Sequence, residues 1–299
     1  MIRITDYNQS SFFYPQRFSG LENLIRFPDS EFKREGIPNS TVWIFNAENH
    51  HYVQEILADD VGCGMALFML DQLNHQEAAE KIYHYFKDKN ILGRGNHFCD
   101  ICAPIEWADG ENDTDYTLLL LHSDGKILHP GAVSSVQEAL EHQHQAESFR
   151  QEIGDELASL LHSSFRLLGN WTHNSVEESK DKIIYRKGVI KTVPEQIHLL
   201  PAHLGAKILV YSVKSNNLPP YSSFPHATGR CAPRGESKVS VEEAASLREM
   251  VYIPAVISDS SLRTEHPSCY NNFDQIFKSV GSYLVSLGEI KIKSYVGKV

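Results

Sequence analysis

Residues 57–68 read LADDVGCGMALF, with a cysteine set between two glycines and three positions after an acid. Two readings fit. This is a tight core turn around a buried thiol, since unpaired cysteine is often buried, or Asp60 and Cys63 share a ligand. Three histidines stand in comparable surroundings. His97 follows two glycines in LGRGNHFCD (92–100), where the backbone can approach a ligand closely. His122 ends an apolar run in LLLLHSDGK (118–126), and His173 sits in NWTHNSVEE (170–178). One carboxylate, one thiolate and three imidazoles form a borderline donor set suited to one or two ions of Mn, Zn, Fe or Co. For His97 and His173 the alternative is a capping or satisfied core imidazole.

A second group lies in FPHATGRCAPRG (224–235), where His226 precedes Arg230 and Arg234. A histidine beside two guanidiniums suits attack on phosphorus. The arginine forks neutralise phosphate oxygens while an imidazole nitrogen forms a phosphoramidate. The alternative is a surface loop whose arginines pair with nearby carboxylates.

Several elements must position these groups. TVWIF (41–45), YTLLLLH (116–122), KIIYR (182–186), KILVYSV (207–213) and IKIKSYV (290–296) are short, rich in β-branched or aromatic residues, and predict strands. QEAAEKIYHYFKDK (76–89) predicts an amphipathic helix. The capping spacing of Ser135 with Glu138 starts a helix expected to run towards Leu168, and Ser240 with Glu243 repeats the signal. A last helix is expected over 272–287, weakened by Gly281. Residues 215–237 form a long loop rich in Pro, Gly and Ser, of the kind that carries function. Strands and helices do not alternate regularly, which argues for an α+β domain with mixed or antiparallel sheet, one domain over 1–299.

At 299 residues and 41% hydrophobic content, the chain can bury a substantial core. No apolar run reaches membrane-spanning length, and the first residues lack a signal-peptide layout. Five cysteines without a regular framework predict free thiols in a reducing, cytoplasmic setting. A formal charge of −10 argues against a protein that coats nucleic acid non-specifically. It leaves room for a local basic groove, for which Lys180, Lys182, Arg186 and Lys187 are candidates.

These segments, in this order, resemble the RtcB family of RNA ligases from about residue 57 to the end. DDVGCGM resembles the family's D-[IV]-G-C-G-M and LGRGNHF its L-G-x-G-N-H-F. LHSDGK is similar to a weakened H-[ST]-G-S-R, THNSVEE to H-N-x-x-x-E, and YRKGVIK to H-R-K-G-A. LPAHLG stands where the family has P-G-S-M-G. PHATGRCAPR resembles H-G-A-G-R-x-x-S-R, EHPSCYNNFDQI resembles E-A-P-x-A-Y-K-D-[IV], and the terminal VGKV is similar to the family's final Lys-Gly.

The resemblance implies an RtcB-like catalytic domain with mixed and antiparallel sheets flanked by helices around a central metal cleft. Asp60, Cys63, His97, His122 and His173 would ligate two Mn2+ ions, with Cys63 able to bridge them. His226 would take GMP from GTP. Asn96, Phe98, Asp100, His203, Tyr270 and Lys298 would contact the guanylate, and the RNA partner would carry a 3′-phosphate (or 2′,3′-cyclic phosphate) and a 5′-hydroxyl. RNA repair or splicing, including that of tRNA, is the implied setting, and an activating protein partner is compatible with it. The chain also departs from the pattern. NAENHHYVQEIL (46–57) occupies the place of a Pro-Asp-Val-His segment, Ala202-His203 replaces Gly-Ser, and Ala227-Thr228 stands for Gly-Ala. HSDGK has Lys126 where arginine is usual, and Tyr185 replaces a histidine. These changes leave two alternatives: a metal-dependent phosphohydrolase or cyclic phosphodiesterase, and a non-catalytic RNA-binding relative.

Overall fold

The structure is a computed structural model that describes residues 2–8, 18–30, 37–48, 50–58, 60–93, 95–107 and 115–299. The chain opens with β1 (Arg3–Asp6), β2 (Leu21–Arg26), β3 (Thr41–Asn46), the short α1 (Gln54–Leu57), β4 (Gly64–Asp71) and α2 (His75–Lys89). There follow β5 (Phe98–Trp107), β6 (Tyr116–Ser123), α3 (Val136–Leu161), β7 (Phe165–Thr172), β8 (Asn174–Ser179), β9 (Lys182–Lys187) and β10 (Val189–Lys191). The last part holds β11 (His198–Leu200), β12 (Lys207–Val213), β13 (Ser223–Pro225), α4 (Val241–Ala245), α5 (Leu247–Met250), α6 (Asp259–Leu262), α7 (Phe273–Val280) and β14 (Leu284–Ser294).

The result is α+β. A seven-stranded sheet has the order β11-β12-β14-β5-β6-β4-β7 and is antiparallel throughout. A five-stranded sheet, β1-β2-β3-β9-β8, contains one parallel pair, β1 with β2. A small β10-β13 ribbon lies beside them. Strands β4 and β6 are adjacent interior strands of the large sheet, and their apolar runs are buried along almost their whole length. Helix α2 buries Ala78, Ala79, Ile82, Tyr83 and Phe86 on one face, and Asn74 caps it by accepting from the amides of Gln76 and Glu77. Among the described residues, no helix is long and apolar enough to cross a membrane.

Two expected helices are shorter than their patterns suggest. Helix α3 stops at Leu161 because His162 turns left-handed, with φ 54°. Asp71 then anchors Ser163 and Ser164, and Phe165–Thr172 continues as a strand paired with β4. Likewise α7 stops at Val280 with Gly281 as its cap, and Leu284 onward pairs as β14 with both β12 and β5. In both cases an open strand edge beside the segment outweighs local helix pattern. Ser240 and Glu243 form a full capping box, whereas Glu138 reaches the amide and hydroxyl of Ser134 instead of completing one with Ser135. Most of the N-terminal stretch read for a leader, together with Asp59 and Arg94 of the quoted motifs, lies outside the described residues.

Candidate metal centre and adjoining pocket

Sheet order explains how distant donors meet. Neighbouring strands β5, β6, β4 and β7 present one common end. There His97 precedes β5, His122 nears the end of β6, Cys63 precedes β4, and His173 follows β7. Met65 is registered opposite both His122 and Trp171, and Phe98 opposite His122. The Cys63 carbonyl accepts from the His173 amide at 2.9 Å, which ties the sulfur turn to the chain as it leaves the large sheet for the smaller one.

Cys63, His122 and His173 are buried, and one ligand atom from each lies within 4.8 Å of the others. The sulfur is 3.4 Å from Nε2 of His122 and 3.5 Å from Nε2 of His97. His122 donates from Nδ1 to the Asn96 carbonyl at 3.1 Å, which leaves a lone pair on the nitrogen facing sulfur. Burial, with His97 and His226 close by, holds the His122 imidazole well below its ordinary pKa. Burial and then His226 and His122 do the same for His173. Neutral imidazoles and a sulfur are what a divalent ion requires, and these residues can hold one. His97 adjoins the group through the sulfur, and its Nδ1 faces Asp124 at 3.9 Å. Asp60 is not brought into the three-residue donor group; its Oδ2 accepts from Asn174, the neighbour of His173, at 3.0 Å.

The glycines around Cys63 have separate reasons. Gly62 has φ +91°, and a Cβ there would lie 2.7 Å from that of Ala146. A Cβ on Gly64 would lie 2.6 Å from the Trp171 carbonyl oxygen and 2.8 Å from Nη2 of Arg150. The sequence therefore needs both positions bare if the sulfur is to sit between the sheet end and α3.

His226 follows β13, and its ring centroid is 4.2 Å from that of His173. It donates from Nδ1 to the Gly188 carbonyl at 2.7 Å, so the lone pair of the neutral ring is on Nε2. From here a cavity of about 630 Å³ extends between the two faces of the chain. His122, Asn96 and Phe98 line its metal end, Asp100 and Tyr295 its floor, and His203, Arg230 and Tyr270 its wall. Asp100 is fully buried; burial drives its carboxyl well above the usual range against the Val296 hydrogen bond, and Oδ1 has no partner among the described residues.

Glu265, which residue types and spacing did not single out, organises the wall. It accepts from Arg230 at 3.1 Å, Tyr270 at 2.7 Å and Lys298 at 2.6 Å, and Arg234 lies 3.4 Å away. Burial alone would raise its carboxyl, but Lys298, Arg234 and Arg230 outweigh that and hold it down to about 2. Lys298 also donates to the Gly95 carbonyl at 2.7 Å, so the C-terminal segment is latched beside the pocket. His203 donates from Nδ1 to the Leu204 carbonyl. The expected basic groove on β9 does not form as a free face. Arg186 is buried on Glu177 and Ser223, Lys187 is buried on the Ile56 carbonyl, and Lys182 pairs with Glu22. Arg186 and Lys187 point to opposite faces of β9, and both faces are covered there, one by Ser223 of β13 and the other by Ile56 of α1; Lys180 stays exposed in the turn before the strand.

No protein-family model matches the chain, and no curated protein matches it.

Proposed function

We propose that the chain is a metal- and GTP-dependent RNA ligase that joins a 3′-phosphate (or 2′,3′-cyclic phosphate) to a 5′-hydroxyl through a guanylylated His226. One observation carries this reading: the His226 imidazole, with its Nε2 lone pair set by the Gly188 contact, lies with its ring centroid 4.2 Å from that of His173 of the Cys63–His122–His173 group. A hydrolase that activates water at a metal does not need a second, non-ligating imidazole held in that tautomer.

Cys63, His122 and His173 would hold a divalent ion such as Mn2+, which would neutralise charge on the α-phosphate. Nε2 of His226 attacks α-phosphorus; the Nε2–P bond forms as the bond to pyrophosphate breaks. Nδ1–H remains on the Gly188 carbonyl and disperses the positive charge of the phosphorylated ring. Arg230 and Arg234 face the departing or incoming phosphates, and the cavity receives the nucleoside. A 2′,3′-cyclic end is first opened by water to the 3′-phosphate; a 3′-phosphate oxygen then attacks the α-phosphorus as its bond to Nε2 of His226 breaks, and the 5′-hydroxyl attacks the activated 3′-phosphate, losing its proton to solvent as GMP leaves. Splitting the displacement in this way is the general advantage of covalent catalysis.

The test is incubation with Mn2+ and α-labelled GTP. An acid-labile, alkali-stable protein–GMP adduct is expected, absent from His226→Ala. Phosphatase activity that survives in His226→Ala, with no adduct from any nucleoside triphosphate, sinks the ligase reading.

A further inference from the structure

Arg150 breaks the apolar stripe of α3, which otherwise buries Ala139, Ala146, Ile153, Leu157 and Leu161. It is fully buried. Taking a guanidinium out of water is costly unless its donors are bonded. Here Nη1 donates to the Gly62 carbonyl at 2.7 Å, Nε to Oδ1 of Asn170 at 2.7 Å, and Nη2 to the Thr172 hydroxyl at 2.9 Å. All three acceptors are neutral. None of these bonds serves an ion pair, although burial and desolvation bring the guanidinium down to about 10.

The acceptors have a common address. Gly62 directly precedes Cys63, and Thr172 directly precedes His173. The guanidinium also packs on Gly64, where a Cβ would lie 2.8 Å from Nη2 and 2.9 Å from Cζ. Arg150 therefore touches the chain on both sides of Cys63 while holding the residue before His173. Its own turn of helix is fastened to the same strand: Asn170 donates to the Glu147 carbonyl at 2.9 Å, and Thr172 donates to the Glu147 carboxylate at 2.8 Å. One planar group cross-ties two donors that lie 110 positions apart in numbering, adding side-chain bonds to the β4–β7 pairing and to the direct bond from the His173 amide to the Cys63 carbonyl.

We propose that Arg150 is the positioning residue of the metal centre: its fork, added to the strand pairing, holds Cys63 and His173 at ligating separation. The proposal rests on the reading that Cys63, His122 and His173 bind a divalent ion. A lysine keeps the charge but offers one ammonium in place of a planar fork, so it cannot meet three acceptors in these directions.

The experiment is Co2+ titration of the metal-free full-length protein. It is followed by the sulfur-to-cobalt charge-transfer band and the visible d–d bands, with thermal melting in parallel. Wild type is expected to show the charge-transfer band, and Cys63→Ala to lose it. Arg150→Lys and Arg150→Gln are expected to bind Co2+ about 10- to 100-fold more weakly, the range for residues that orient metal ligands, with altered d–d intensity. Arg150→Lys is expected to weaken less than Arg150→Gln. Arg248 serves as the comparison, since it also makes three hydrogen bonds, to Asp259, Ile253 and Ile257, within the α5–α6 region. Arg248→Gln is expected to lower the melting temperature and leave Co2+ affinity unchanged. Wild-type Co2+ affinity and spectrum in both Arg150 variants overturns the positioning role and leaves the metal reading standing. An equal loss of affinity in Arg248→Gln also overturns it, because general destabilisation then accounts for the effect. A wild-type protein without the sulfur-dependent band overturns the metal reading, and this proposal with it.

Discussion

The Cys63 sulfur stands 3.4 Å from Nε2 of His122, 59 positions further along the chain. Antiparallel pairing of β4 with β6 puts Met65 opposite His122, and the same end of the sheet supplies His97 and His173 from the flanking strands β5 and β7. The donor group is thus a property of strand order. His97 is one residue from Phe98, which lies opposite His122, and Cys63 and His173 lie two residues from Met65 and Trp171 in the same row; a slip of one residue on any strand would turn its donor to the other face.

The histidines make the metal-free protein sensitive to mild acid. Burial and neighbouring imidazoles hold His122 and His173 well below 6.5 in the folded chain, whereas unfolding returns them to that value. Below about pH 6.5 the unfolded state therefore binds more protons, and stability falls as pH falls. Each histidine contributes a slope of up to about 1.4 kcal/mol per pH unit. Urea unfolding of chelator-treated protein between pH 5 and 7.5 measures this. His122→Asn is expected to flatten the slope, and a flat profile in wild type contradicts the assignment.

Glu265 acts in a lower window. Its carboxyl is held to about 2 in the folded chain against 4.5 when free, so its stabilisation is complete above about pH 4.5 and lost as pH falls towards 2. The difference corresponds to about 3 kcal/mol. Glu265→Gln leaves Arg230, Arg234 and Lys298 without their shared carboxylate and is expected to cost about 3 kcal/mol at neutral pH. Denaturant midpoints of wild type and variant at pH 7 and pH 3 check both statements, since the gap should narrow in acid.

Space around the sulfur turn predicts a sharp contrast between glycines. Gly62→Ala places a Cβ 2.7 Å from Ala146 at a φ of +91° and is expected to destabilise by about 2 kcal/mol or more, with loss of Co2+ binding. Gly131→Ala meets nothing within 4 Å and is expected to change the melting temperature by about a degree at most. Parallel melts of the two variants decide the matter.

Arg234 is the more exposed of the two pocket guanidiniums and lies at the outer side of the Glu265 group. Arg234→Ala is expected to weaken nucleoside triphosphate binding about 10-fold and to lower the melting temperature less than Glu265→Gln does, since Arg230 and Lys298 still pair with Glu265. Equilibrium binding of a labelled triphosphate in the presence of Mn2+ gives the comparison. Unchanged affinity would place the phosphates elsewhere.

Much of this was legible from residue type and spacing. The apolar runs at 41–45, 116–122, 182–186 and 207–213 are strands because β-branched and aromatic residues favour a pleated, buried surface, and that preference is local. Nearby glycines marked Cys63 and His97, because close approach to another group demands a bare backbone, and a Pro/Gly-bounded loop with two arginines marked His226. What strand pairing decides could not be read this way. Phe165–Leu168 and Leu284–Leu287 look helical until the open edges of β4 and β12 are beside them. Arg186 and Lys187 look like a solvated basic face until β13 and α1 cover the two faces of β9. Arg150 carried one local signal, a charge on an apolar helical stripe, but its acceptors come from two other elements. Chemistry is written in single residues and their immediate neighbours; convergence depends on sheet order and long-range register, which no short stretch of chain contains.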